Sequence, residues 1–544
     1  MCNSQETEAP VPTANAAEEP IITEQELSEC DRDQIQFIGT IQGDSGNFLT
    51  FTYPDGVIEC CDAKILDVPW IQSPTDEGET NKKGLILAAK LSACIPESLY
   101  KEIDELVLDM KRNVSQRAFH FYKHDSVCYA LSLSCCDHDF GTIGIEIETS
   151  AETDSPENFF TTITGLGRVM ESYAQTKQTV TVTACDAVFK ILEQYDRGMI
   201  YRFNDDLSGE VIHEIMSKRI ETSYIGMRFP STDIPLPARK LYVKNGLRYI
   251  HDVDGTPVDV ISKDGTQTDL SQCRMRAVAK PHIVYLRNMG VKCSLSLAIV
   301  VENQLWGLLA FHGYTKAFKP TLQQRIACET IVSMLSVRIE SLVKKQESAR
   351  VMELSNHMIS LKADQSVIHN LHDWGEGILK VLDADIVVGH VYDPHDIERD
   401  GIVIGDQSLQ PALSFWDKMK DVPNRELVVM SNRKETGARG LTVEECPPAG
   451  VVFFREGRVH IMIGRAVRSK DVRWAGNPDE PKLRIGGILS PRNSFDTFMQ
   501  KAKKEARQWS VQDTNVIKVM RDRICEHAHN YMLTLLQTSI EDCK

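Results

Sequence analysis

Residues 321–358, TLQQRIACETIVSMLSVRIESLVKKQESARVMELSNHM, contain neither proline nor glycine and keep apolar side chains recurring at helical spacing from end to end. The stretch predicts one helix much longer than a compact domain normally holds. Such a helix connects units rather than sitting within one, and its apolar seam suits pairing with a second copy of the chain. The regions on either side must therefore fold separately.

Before the helix lie two β-rich regions. Residues 1–22 are dominated by Ala, Glu, Pro and Thr and are expected to be disordered. Order is expected from near Leu27, and a first unit over 23–150 carries the runs FLTFTYPDGVIECC, AFHFYKHDSVCYALSLSCC and TIGIEIE, which predict an antiparallel sheet with a few helices. A second unit, 157–318, opens with the amphipathic TACDAVFKILEQY and closes with the strands of SLSLAIVVENQLWGLLAFH, turning at Glu302, Asn303 and Gln304. Beyond the connecting segment 319–364, a third unit over 365–510 has the strands DIVVGHVYD, RELVVMS and GVVFFREGRVHIMIGRAV and an irregular excursion, RSKDVRWAGNPDEPKLRIGGILSPRNSF. In the final segment, 511–544, Ile517, Met520, Ile524, Ala528, Tyr531 and Leu535 follow at steps of three or four, the mark of an amphipathic helix. The fold class is α+β, with three domains, each an antiparallel sheet with flanking helices.

Composition narrows the function. Lys and Arg number 61 against 77 Asp and Glu, a net charge of −16, which argues against a general nucleic-acid surface. No window approaches the roughly 18 apolar residues of a membrane span, and the N-terminus lacks the basic and apolar regions of a signal peptide. A cytoplasmic protein is expected, with a nuclear one as the alternative. The 15 cysteines are odd in number and include no C-x-x-C pair, so reduced thiols are expected. Cys60-Cys61 and Cys135-Cys136 are strand neighbours pointing to opposite faces, and no metal site is expected.

The chemistry concentrates in the middle unit, in RFPSTDIPLPARKLYVKNGLRYIHDVDGTPVDV and CRMRAVAKPHIVYLRNMGVKCSLSLAIV. Two prolines bracket Asp233, Ile234 and Pro235 and fix the backbone direction there. Arg239, Arg248, Arg276, His282, Tyr285, Ser294, Ser296 and His312 follow, with Tyr201 and Phe229 upstream. Such side chains suit a ligand with carboxylates at one edge and aromatic rings at the other. The same types also make an ordinary solvated face, and spacing alone leaves both readings open.

FPSTDIP, ARKLYVKN, PHIVYLRNMGV and LWGLLAFH resemble, in order and spacing, the bilin-pocket motifs of the phytochrome GAF domain. RWAGNP and PRNSF resemble the tongue of the PHY domain, and CDRDQIQFIGTIQ the segment before the PAS domain. The resemblance covers about residues 27–540 and implies PAS, GAF and PHY domains, with a figure-of-eight knot threaded by Ile35 and its neighbours. It implies a linear tetrapyrrole held as a thioether on Cys30. Plant-type attachment would use a cysteine immediately before the pocket histidine, and Pro281 stands there, which favours biliverdin IXα. The nearby thiols Cys273 and Cys293 are expected to be core packing.

The resemblance carries roles onto matching positions. Asp233 would offer its backbone carbonyl to the pyrrole N–H groups, leaving its carboxylate for Arg492 of the tongue. Arg248 and Arg276 would clamp the propionates with Ser294 and Ser296. His282 would sit near the ring nitrogens and His312 at the D-ring carbonyl, with Tyr201, Phe229 and Tyr242 around the D ring; Ile234, Pro235 and Tyr285 would also contact the tetrapyrrole. Isomerisation would break the Asp233 to Arg492 contact, and a tongue at about 466–498 would change partners at Trp474, Pro491, Ser494 and Phe495. Ile38-Gly39, Gly43-Asp44-Ser45 and Phe311 depart from the family's pattern.

A GAF-type sensor of a small molecule such as a cyclic nucleotide is the alternative, but it needs neither Cys30 nor PRNSF. Catalysis by this chain is not expected: no P-loop, H-E-x-x-H, G-x-S-x-G or kinase ATP-lid pattern occurs. A histidine kinase or other output module, or a response regulator, is expected beyond Lys544, and a homodimer through the long helices.

Overall fold

The computed structural model describes residues 40–73, 86–136, 139–150, 176–204, 206–265, 269–358, 364–392, 401–478, 484–485, 488–489, 494–505 and 507–542, with Thr164 and Lys362 besides. Three large sheets organise them.

The first sheet has seven strands, in the spatial order Thr40–Ile41, Val258–Ser262, Ile58–Asp62, Asn47–Thr52, Thr142–Ser150, Val127–Cys135 and Arg117–His124. Helix Glu97–Arg112 repeats Leu99, Ile103, Val107 and Met110 at helical spacing and buries them on Leu131, Leu133, Ile145 and Ile147. The other phase of strand Thr142–Ser150 carries the buried Glu146 and Glu148, facing the middle unit. The sequence reading gave each unit its own sheet, and here it is corrected. Strand Val258–Ser262 comes from the middle unit and pairs with both Thr40–Ile41 and Ile58–Asp62. Gln42 extends this join, since its side-chain amide donates to Tyr249 O at 2.9 Å and its Oε1 accepts from His251 N at 3.2 Å. The knot needs Ile35 and its neighbours, which lie outside the described residues.

The second sheet has eight strands, Leu247–Ile250, Cys293–Val301, Gln304–Gly313, Arg197–Phe203, Gly209–Met216, Arg228–Phe229, Arg468–Ala475 and Thr497–Glu505. Glu302 and Asn303 turn its central hairpin with φ of 51° and 60°, the left-handed pair that matches strand twist. One face packs Ile200, Leu247, Tyr249, Leu295, Leu297, Ile299, Leu309 and Phe311 against helix Lys177–Ile191 and the first half of helix Leu322–His357. Thr321 and Gln324 form a capping box that starts this long helix where the periodicity begins. The last two strands come from the irregular excursion of the third unit, and Trp474 pairs with Arg228 in parallel, a departure from the all-antiparallel expectation.

The third sheet runs Gly401–Gly405, Ile386–Val391, Val459–Arg465, Gly450–Glu456 and Val428–Met430. On one face lie helix Val367–Leu382, the end of the long helix and helix Val511–Asp542. Ile517, Met520, Ile524 and Ala528 are buried there as the spacing predicts. Leu535 is not: it is 45% exposed, beside Met532, Leu533 and Leu536 at 53%, 46% and 56%, because the helix has run past its sheet. Among the described residues no helix is long and apolar enough to cross a membrane.

Candidate functional site

Strand alternation builds the site. On the face of the second sheet away from the helices, cross-strand register places Arg248, Ser296, Ala310 and Met199 in one row. Ile250, Ser294, His312 and Arg197 form the next, and Ala298, Leu308, Tyr201 and Val211 another. Serine and alanine at four of these positions leave the centre of the face low enough for a flat ligand.

The edge of this face is a rigid loop. Pro230 precedes the turn Ser231–Asp233, Pro235 caps helix Leu236–Lys244, and the buried Arg239 donates to Ile234 O at 2.6 Å, Leu207 O at 2.7 Å and Ser231 O at 3.1 Å. Ile234 and Pro235 are half-buried beside it. The Asp233 carboxylate is engaged rather than free, since Tyr285 Oη donates to its Oδ2 at 3.2 Å from helix Lys280–Asn288. Tyr285 stacks on His282 with ring centres 6.0 Å apart and meets Phe495 of the excursion edge-on at 5.0 Å.

Charge gathers on the opposite side. Arg248 donates to Arg276 O at 2.7 Å and Ala277 O at 2.8 Å, and Arg276 to Ser271 O at 3.3 Å. Among the described residues, neither guanidinium has an ion-paired carboxylate. Burial, and then the positive charge of Arg276, pushes Arg248 down to about 9. Burial and Arg248 push His282 down to about 4. Burial, then Arg197 and His282, hold His312 lower still, at about 3. Both imidazoles are therefore neutral at physiological pH. His312 is 8% exposed, and its Nδ1 has no hydrogen-bond partner among the described residues. Such a buried nitrogen is costly unless a ligand meets it.

The apolar wall joins these elements. Tyr201 and Phe229 lie 5.8 Å apart, with Met199, Val211, Leu308 and Ala475 around them. Tyr242 packs on the same cluster and bonds to Ser296, while burial raises its hydroxyl pKa. The face thus offers uncompensated positive charge, neutral imidazoles and aromatic surface. It suits a flat, conjugated anion with a hydrogen-bonding group that meets the His312 imidazole.

The structure brings Tyr201, Phe229, Asp233, Ile234, Pro235, Tyr242, Arg248, Arg276, His282, Tyr285, Ser294, Ser296 and His312 to this one region. Trp474 bonds to Gln500 within its own hairpin, Nε1 to Oε1 at 3.0 Å, and Ser494 bonds to Asp496 at 3.0 Å. Cys30, Pro491 and Arg492 lie outside the described residues, and with them any contact of Asp233 to Arg492. Cys273 and Cys293 are buried, and burial raises the first thiol well above its ordinary range and the second to about 12. Both are poor nucleophiles. Sequence reasoning missed Arg197, Glu214, Tyr224 and Arg473. Arg473 donates to Ile225 O at 3.1 Å, and Gly226, with φ of +72°, leaves room for it. A charge in the buried phase of RGMIYRF was the available signal for Arg197.

The family model described as the GAF domain matches residues 178–340, and that described as the phytochrome region, PHY, matches 436–531. The chain is 29% identical to a bacteriophytochrome of Xanthomonas campestris pv. campestris, over 64% of this chain and 57% of that one. It is 30% identical to a bacteriophytochrome of Pseudomonas aeruginosa, over 62% and 47%. It spans about half the length of such curated relatives. Among solved structures, a bacteriophytochrome from R. palustris superposes with a TM-score of 0.73 at 22% identity, covering 93% of this chain and 99% of that one. The photosensory core module of the Stigmatella aurantiaca phytochrome gives 0.72 at 22%, covering 96% and 99%. Fold and domain matches together define a multidomain α+β chain that contains a GAF domain and a PHY region. The matched GAF and PHY domains, the bacteriophytochrome relatives and the two superposed structures together support a phytochrome PAS-GAF-PHY core.

Proposed function

We propose that this chain is the light-sensing core of a red/far-red photoreceptor that carries biliverdin IXα as a thioether on Cys30. The reading rests above all on one sheet face, where, among the described residues, His312 Nδ1 is buried without a partner and Arg248 and Arg276 bond to carbonyls and have no ion-paired carboxylate. When bound, a linear tetrapyrrole supplies red-light absorption and reversible Z/E isomerisation at the bridge between its C and D rings. Arg248 and Arg276, assisted by Ser294 and Ser296, hold its propionates through charge-assisted hydrogen bonds. Asp233, fixed by Ile234, Pro235 and Arg239, presents its backbone carbonyl to the pyrrole N–H groups, with His282 beside them. His312 meets the D-ring carbonyl, and Tyr201, Phe229 and Tyr242 pack around that ring. Tyr285 and the Asp233 carboxylate face the tongue, where Arg492 is the partner proposed for Asp233.

Trp474, Pro491, Ser494 and Phe495 change partners when the tongue rearranges, moving the long helices and an output module such as a kinase or response regulator. The exposed Met532, Leu533 and Leu536 favour a homodimer at those helices, and a cytoplasmic location belongs to the same reading. The unit limits are 23–150, 157–318 and 365–510. The test is incubation with biliverdin followed by a denaturing gel stained for zinc-induced fluorescence. A fluorescent adduct that is lost in Cys30→Ala is expected. A fluorescent Cys30→Ala chain would move the attachment elsewhere, and no red absorbance with any bilin would leave the small-molecule GAF sensor.

A further inference from the structure

Arg197 stands across the strand pair from His312, on the same face of the sheet. Side chains so placed have Cβ atoms about 4.5–5.5 Å apart. Arg197 Nη1 lies 3.3 Å from Glu214 Oε1, and both side chains are only 2% exposed. Nη2 donates to Thr222 O, and the guanidinium carbon sits 3.9 Å above the Tyr224 ring. Glu214 in turn accepts from Tyr224 N at 3.0 Å and from Ser223 Oγ. The loop Thr222 to Tyr224 is thus built around a buried ion pair. The next residue, Ile225, gives its carbonyl to Arg473 of the tongue at 3.1 Å, and Tyr224 packs 5.9 Å from Phe229. Arg197 Nε and His312 Nδ1 are both buried without hydrogen-bond partners among the described residues.

We propose that Arg197 is a positioning residue, joining the His312 imidazole to the loop on which the tongue strand rests. The proposal deepens the reading of this face as a bilin site and rests on it. A fixed buried cation across the strand pair opposes protonation of His312, which burial already disfavours. The charged and titratable groups around His312 are Arg197 from the neighbouring strand, His282 from helix Lys280–Asn288 and Tyr314 just past the end of its own strand Gln304–Gly313, with Glu214 behind Arg197. Arg197 and Glu214 together hold the loop, and Arg197 is the member of the pair in register with His312. A shift of the loop moves the cation, and a change at His312 is felt at Ile225 and Arg473; such coupling is reciprocal.

The test uses the bilin-free chain with ¹⁵N-labelled histidine, His312 being assigned by His312→Gln. In the double variant Arg197→Met/Glu214→Gln, both charges go together, so no lone ion is buried. The His312 pKa is expected to rise by about one pH unit or more. Amide exchange in 222–225 and in strand 468–475 is expected to quicken about tenfold. Arg197→Lys keeps the charge and is expected to keep the low pKa while the loop still loosens, because an ammonium cannot both cover Tyr224 and reach Thr222. A folded double variant with unchanged titration and exchange would overturn the proposal. If the wild-type chain binds no biliverdin, the photoreceptor reading fails while the titration still decides the coupling; if it binds and the titration does not move, this inference alone fails.

Discussion

Replacing Arg325 with methionine tests whether the first two units are held together by a buried charge. Arg325 begins the long helix at 0% exposure, donates to Pro320 O at 2.7 Å and to Glu148 Oε2 at 3.2 Å, and lies 4.8 Å over the Tyr249 ring. Its second nitrogen also bonds to the Glu148 carboxylate. Burial raises the Glu148 pKa, but Arg325 and then Lys319 outweigh it and hold the carboxyl below its ordinary range. One guanidinium thus joins a strand of the first sheet, a strand of the second and the connecting helix. Without it, the one ion-pair partner left to Glu148 among the described residues is Lys319, at 2.9 Å and 27% exposed. Stranding one partner of a buried pair costs about 3–5 kcal/mol, and Lys319 places the expected loss near the lower figure. The assay is urea unfolding of Arg325→Met, Glu148→Gln and the double variant. The double should cost less than the sum of the singles by about 1–3 kcal/mol. Additive losses, or a single-variant loss below about 1 kcal/mol, would refute the account of a desolvated pair.

Three further outcomes are expected. Gly209→Ala would place a Cβ 1.7 Å from Tyr201 Cζ, so the ring must leave its position; stability should fall by about 1–3 kcal/mol in thermal melts, with a shifted absorbance band in the biliverdin-loaded chain. His460, in register with His390, is pushed down to about 4 by burial, Arg455 and His390, from an ordinary 6.5. The unfolded chain binds that proton first, so the contribution is full above about 6.5 and is lost as pH falls toward 4; urea midpoints across this window should fall less in His460→Gln. Arg473→Ala removes the bond to Ile225 O, and hydrogen exchange in strand Arg468–Ala475 should quicken while the third sheet keeps its protection.

The elements most legible in the sequence were those with a long period or a defined turn. The 321–358 pattern gave helix Leu322–His357 almost to the residue because Thr321 and Gln324 cap it. The Glu302-Asn303 turn was readable because two polar residues between apolar strands favour the left-handed pair. The strand exchange at Val258–Ser262 was not readable, since pairing partners at that sequence separation leave no local mark. Likewise the excursion after Arg465 looked irregular, yet its ends complete the second sheet. At the site, the motifs marked Asp233, Arg248, His282 and His312, but the hydroxyl of Tyr285 on the Asp233 carboxylate depends on how the helix docks. Arg197 and Glu214 were missed because charges in strands normally read as solvent-facing, whereas this pair is buried beneath Tyr224.

The central claim is that this sheet face holds a photoactive bilin. Its most direct test is an absorbance spectrum of the biliverdin-incubated chain during alternating red and far-red illumination. The account predicts two interconverting bands, with the interconversion weakened in His312→Ala and binding weakened in Arg248→Ala/Arg276→Ala. A biliverdin-incubated chain whose spectrum is that of free pigment and does not respond to either wavelength would contradict it.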